Sequence, residues 1–172
     1  MLPERLSNGL CSLRPNEDKL TFAAVFEMTP DAQVTKEWFG RTIIHSDRRF
    51  AYEDAQERID SGEGDLAQEL VQLNKLALEL RKKRFQTGAV NFETTEVRFK
   101  LDENGKPLGV IPKVRKDAHK LIEEFMLLAN KQVATFIYKM REGKEKNTFV
   151  YRTHDFPDPE KVNTFATFAR RF

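Results

Sequence analysis

An α+β fold, antiparallel hairpins packed with two long helices, is what this sequence predicts, and three observations carry that reading. Asp117 to Met140 runs for 24 residues without Gly or Pro, with apolar side chains recurring at helical spacing. Asp65 to Phe85 repeats the signal through Leu66, Leu70, Leu73, Ala77 and Leu80. Elsewhere, stretches that alternate apolar and polar residues are joined by short turns, as hairpins are. Strands and helices lying in separate runs favour α+β over a doubly wound parallel sheet.

Taken in order, residues 2–18 carry Pro and Asn-Gly punctuation and read as an ordered loop with a short helix or turn. Lys19 to Met28 alternates, with Leu20, Phe22, Ala24, Phe26 and Met28 on one face and Thr21 and Glu27 on the other. Thr29-Pro30-Asp31 makes a turn into a partner strand, Gln33 to Ile44. Ala51 to Ser61 reads as a short helix stopped by Gly62 and Gly64. The helix from Asp65 closes on Arg81-Lys82-Lys83-Arg84, cations that suit the negative end of its dipole, and Gly88 ends it. That basic run has two readings: a solvated helix end, or a phosphate contact. Ala89 to Pro112 returns to strands, in which Val97, Phe99 and Leu101 alternate with charged residues before an Asn104-Gly105 turn. Thr148 to Tyr151 reads as a short strand, and Pro157 to Phe172 as a helix.

The Asp117 helix organises the rest. Asp117 is a fair N-cap, and Ala118, Ile122, Phe125, Ala129, Val133, Phe136 and Met140 form one apolar stripe, widened by Leu121, Leu128 and Met126. Lys120, Glu124, Lys131 and Tyr138 lie opposite and are expected to face water. His119, Glu123 and Asn130 share the edge between the two faces. Such a row is either an ordinary helix boundary or one wall of a polar site.

Composition sets the outer bounds. At 172 residues, 40% hydrophobic and 33% charged, the chain fits one soluble globular domain. A net charge of +2 provides no global basic field, so any contact with nucleic acid must rest on local patches. The single Cys11 excludes an internal disulfide and a Cys-rich zinc site, pointing to a reducing, cytoplasmic location; its apolar setting suggests a buried, inert thiol. No apolar run approaches the ~18–20 residues of a membrane span, and no signal peptide is visible.

No complete catalytic set is present. There is no phosphate-cradling Gly-rich loop, no HExxH, and no Asp cluster of the kind a two-metal nuclease uses. His45, His119 and His154 lack metal-ligand spacing and read as structural.

Several segments nevertheless resemble one family. LPERLSNGLCSLRPNEDKL, at residues 2–20, is similar to the segment that follows the metal-binding Asp cluster of bacterial ribonuclease R and ribonuclease II, the RNB-domain exoribonucleases. Gly88-Ala89-Val90-Asn91-Phe92-Glu93, Asp117-Ala118-His119-Lys120-Leu121-Ile122-Glu123-Glu124 through Ala129-Asn130, and Tyr151-Arg152-Thr153-His154-Asp155-Phe156-Pro157 continue the likeness in the family's order, nearest to ribonuclease R. The resemblance implies a partial RNB domain over residues 1–172, truncated at both ends, from an enzyme that hydrolyses RNA processively from its 3′ end with Mg²⁺. The aspartates that hold the metal would lie upstream, and an Arg that contacts the reacting phosphate would lie downstream. The isolated chain is therefore expected to be inactive, with no catalytic or metal-binding residue of its own. Expected partners are the 3′ end of single-stranded RNA and the rest of a parent chain, with cold-shock and S1-type domains.

The resemblance also carries site residues across. Phe92 matches an aromatic that stacks on terminal bases, although packing in the core would also explain it. Glu123 matches an acid that contacts ribose near the 3′ end, and Asn130 and His119 share its helix edge. Glu124 is the neighbouring alternative, set aside because the helical wheel turns it to water. A non-catalytic RNA-binding or structural module is the competing reading of the whole chain.

Overall fold

The computed structural model describes residues 2–91, 97–112, 114–140 and 149–171. Chain contacts divide it into two units, Met1–Thr135 and Phe136–Phe172. In the first unit, β1 (Asp18–Met28) pairs antiparallel with β2 (Val34–His45) from Asp18↔His45 to Met28↔Val34, with a bulge between Glu27 and Met28. The expected strands are thus present within a residue or two of their predicted ends. The turn holds because Ala32 takes a left-handed conformation (φ 55°) and Thr29 and Gln33 exchange hydrogen bonds across it.

This ribbon is not covered as alternation predicts. Leu20 and Phe22 stand 83% and 82% exposed, whereas Ala24, Phe26 and Met28 on the same face are half-buried. The opposite face is half-covered at the other end, where the Thr21 and Thr42 hydroxyls meet at 2.6 Å. A π-helical turn at Arg5–Leu10 lies near that end, and Lys19 Nζ donates to its Gly9 carbonyl at 3.2 Å. At the hairpin tip Ala32 is buried, and Lys83 donates to the Asp31 carbonyl from the helical layer. Each face is therefore shielded along only part of its length.

Helices α1 (Tyr52–Ser61) and α2 (Ala67–Gln86) follow, separated by Gly62 in a left-handed C-cap (φ 71°). Asp65, expected to open α2, remains in the connection and receives both Arg58, at 2.5 Å, and Arg48, at 2.9 Å. The Arg58 hydrogen bond holds the Asp65 carboxyl below its usual range. Strands β3 (Val97–Leu101) and β4 (Pro107–Pro112) form a second antiparallel hairpin, turning at Gly105 with φ 79°. Helix α3 (Asp117–Lys139) begins in the first unit and ends in the second.

Among the described residues of the first unit, the buried apolar ones are Ala32, Ala67, Ala77, Ala118 and Leu121. Four of the five are alanines, so helices approach closely but bury little apolar area per residue. In the second unit α4 (Pro159–Ala169) starts where Asp158 accepts from the Glu160 and Lys161 amides, with Pro159 at the first helical position. Of the strand expected at Thr148 to Tyr151, Thr148 lies outside the described residues, and Phe149–Tyr151 is irregular chain. No helix among the described residues is long and apolar enough to cross a membrane.

Candidate functional site

The N-terminus of α3 is assembled by tertiary contacts. Its first turn closes on the Lys116 carbonyl, which accepts from the His119 and Lys120 amides at 3.1 and 3.2 Å. The Ala118 amide, left without an intrahelical partner, donates to Gln56 Oε1 at 2.9 Å in a buried setting. Gln56 is anchored in turn by donating to Asp60 Oδ1 at 2.8 Å. The Lys116 amide donates to His119 Nδ1 at 3.3 Å, so the helix start is capped reciprocally. Asp117 is not the cap the sequence suggested; it pairs with Lys120 at 3.1 Å. The His119 ring stacks on Tyr52 of α1, with centroids 4.1 Å apart and planes 8° from parallel.

One turn further on, the two glutamates have different surroundings. Glu124, expected to face water, is only 3% exposed. Arg84 from the last turn of α2 grips it twice, Nε to Oε2 at 3.1 Å and Nη2 to Oε1 at 2.5 Å. Arg81 stands 3.5 Å from the same carboxylate. The Glu124 hydrogen bond raises the Arg84 pKa further above its ordinary value. The basic run therefore fits neither sequence reading entirely: Arg81 and Arg84 turn inward onto α3, while Lys82 stays at the surface beside Glu79. The wheel failed here because it carries no information on the guanidinium groups that a neighbouring helix delivers.

Glu123 points the other way. Its Oε1 lies 3.4 Å from Arg84 Nη2, and its Oε2 accepts from Arg115 in the segment before α3. It lines a groove of ≈ 420 Å³ together with His119 and Asn130, so the structure does bring the polar row together. Ile122, Met126 and Leu127 add apolar side chains to its lining, and Tyr52 and Arg115 complete it. Ile122 and Met126, predicted to be core, are exposed, Met126 to 61%. The buried edge of α3 instead runs through Ala118, Leu121 and Glu124. Phe92 lies outside the described residues.

Residues 1–171 match the RNB domain family. The chain belongs to that family. It is 40% identical over 183 residues to the DIS3-like exonuclease 2 of Caenorhabditis elegans, covering 96% of this chain and 21% of the relative. Ribonuclease R of Thermotoga maritima is 37% identical over 171 residues, covering 94% of this chain and 23% of the relative. This RNB chain thus spans about a fifth of the length of such relatives. A solved structure of Mycoplasma genitalium RNase R in complex with ribose-methylated single-stranded RNA superposes with a TM-score of 0.85 at 23% identity, over 99% of this chain and 26% of that one. That last likeness is one of fold.

Three site features escaped sequence reasoning: Tyr52, Arg115 and the inward Arg84. Tyr52 opens the short helix α1 and Arg115 lies in the connection before α3, where no periodicity marks a face. Arg84 was legible as a positive charge but not as a partner. Cys11, expected to be buried, is exposed. His45 sits at the sheet end, 2.7 Å from Asp18 Oδ1. Among the described residues no three His, Cys, Asp or Glu side chains stand together as a metal ion needs.

Proposed function

We propose that residues 1–172 are part of an RNB catalytic domain in a hydrolytic 3′-to-5′ exoribonuclease, supplying one wall of the channel that holds single-stranded RNA. The observation that carries this is the groove on α3, where an RNB-family chain gathers Glu123, His119 and Asn130 beside exposed apolar side chains. The names of the relatives, exonuclease and ribonuclease, support the activity. Metal-assisted hydrolysis with Mg²⁺, held by carboxylates outside this chain, is the chemistry that fits such an enzyme. A cytoplasmic location and cold-shock and S1-type neighbours complete the proposal.

Each groove residue has a physical task. Glu123 is fixed from both sides by guanidinium groups, yet each carboxylate oxygen retains acceptor capacity for a ribose 2′-hydroxyl, the group that separates RNA from DNA. Asn130 adds an amide that can donate and accept, and the Tyr52–His119 stack sets the position of the imidazole. Phe92 stacks on terminal bases in this reading, and its loss costs about 1–3 kcal/mol whichever sugar is present.

The test is binding and turnover of matched RNA and DNA strands by the full-length protein and its variants. Glu123→Ala is expected to weaken RNA more than DNA and narrow the discrimination between them. Phe92→Ala is expected to weaken both alike. Equal loss for both sugars with Glu123→Ala, or a lowered melting temperature alone, would remove the ribose assignment.

A further inference from the structure

Five charged side chains cluster where α2 meets α3: Arg81, Arg84 and Arg115 against Glu123 and Glu124. Three positive charges face two negative ones, which leaves an excess of one positive charge. Arg84 and Arg81 suffice to neutralise the carboxylates, since Arg84 touches both and Arg81 stands beside Glu124. Of the three cations, Arg115 is the one most open to solvent, and so the one at which an entering strand meets that surplus. Its side chain is 54% exposed, against 23% and 30% for Arg81 and Arg84, and it lies at the groove.

The geometry points to Arg115 as a phosphate-binding residue, gripping a backbone phosphodiester next to the ribose that Glu123 accepts. This rests on the RNA-channel reading of the same groove. The guanidinium fork matches two phosphate oxygens as readily as it matches a carboxylate, and a half-exposed site lets it change partners without burying an unpaired charge. Arg115 shares Glu123 with Arg84, so releasing its half of the contact leaves the carboxylate still paired. In the RNA-free state the Arg115–Glu123 contact holds the fork beside the position that the ribose would take. When a strand enters, the fork rotates to the phosphate and frees Oε2 as an acceptor. One substituent thereby recognises the sugar and its neighbour the backbone.

The experiment is a salt titration of oligonucleotide binding to the full-length protein without divalent metal, with matched single-stranded RNA and DNA. Arg115→Gln is expected to reduce the magnitude of the slope of log Kobs against log[salt] by about 0.7, the share of one phosphate contact on a single strand. The reduction should be the same for RNA and DNA. Arg115→Lys keeps the charge, so the slope should be retained while affinity drops through loss of the fork. An unchanged slope with Arg115→Gln overturns the inference. So does a change confined to RNA, which would mean that Arg115 acts only through Glu123. Glu123→Gln, run alongside, separates the two ideas: an unchanged RNA-to-DNA ratio defeats the ribose reading, while the slope with Arg115→Gln still decides the phosphate contact.

Discussion

The α2–α3 seam and the β1–β2 ribbon invert each other. On α3 a carboxylate, Glu124, is buried; on β1 two large apolar side chains, Leu20 and Phe22, stand in the open. Both outcomes run against the usual ranking of what goes inside. At the seam, Arg84 and Arg81 arrive from the neighbouring helix with the donors Glu124 needs, so its charge can leave water. At the ribbon no apolar neighbour arrives within the described chain, so alternation yields an amphipathic strand without a cover. Burial is settled by what the rest of the molecule brings, and residue type only sets what each choice costs.

Removing Glu124 should break the seam hardest. Glu124→Ala leaves two guanidinium groups without a compensating charge and is expected to cost about 2–4 kcal/mol in chemical denaturation, somewhat less than the about 3–5 kcal/mol of a fully buried pair because both arginines keep some water. Replacing the pair together, Arg84→Met with Glu124→Leu, should recover part of that loss. If Glu124→Ala proved neutral, the carboxylate would be solvated and the seam would not be held by charge.

A smaller effect is expected at the cap that joins α1 to α3. Gln56→Ala strands the buried Ala118 amide and should cost about 1–2 kcal/mol. It should also speed hydrogen exchange in the first turn of α3. Exchange that stays slow would show that Asp117 takes over as the cap.

On the ribbon the expected change in stability is the smallest. Phe22→Glu places a carboxylate opposite Arg41, its cross-strand partner, and should alter stability by no more than about 0.5 kcal/mol. Sedimentation of the isolated chain should show less self-association, because an exposed apolar strand face favours it. A large loss of stability would reveal that Phe22 is covered after all.

Much of the site was legible on α3 itself. His119, Glu123 and Asn130 recur on one edge of a helical wheel, and they do line one groove. Their partners were not legible: Tyr52 is 67 residues from His119, and Arg84 is 40 from Glu124. Glu123 lines the groove, whereas Glu124, expected to face water, is buried. Helical geometry places neighbouring side chains about 100° apart, but it cannot say which of two polar directions will meet a partner.

The sequence by itself determined the order and kind of the main elements, since periodicity, Gly and Pro punctuation and turn chemistry act over a few residues. It located the β1–β2 hairpin and the long helices α2 and α3 to within a few residues and the second hairpin's turn at Asn104-Gly105, whereas residues 89–91, expected in strand, are irregular. Tertiary structure alone decided which face of each element is inside, how α3 is capped, and which arginine answers which glutamate. Those outcomes depend on groups tens of residues apart meeting at hydrogen-bond distance, and no local pattern encodes that meeting.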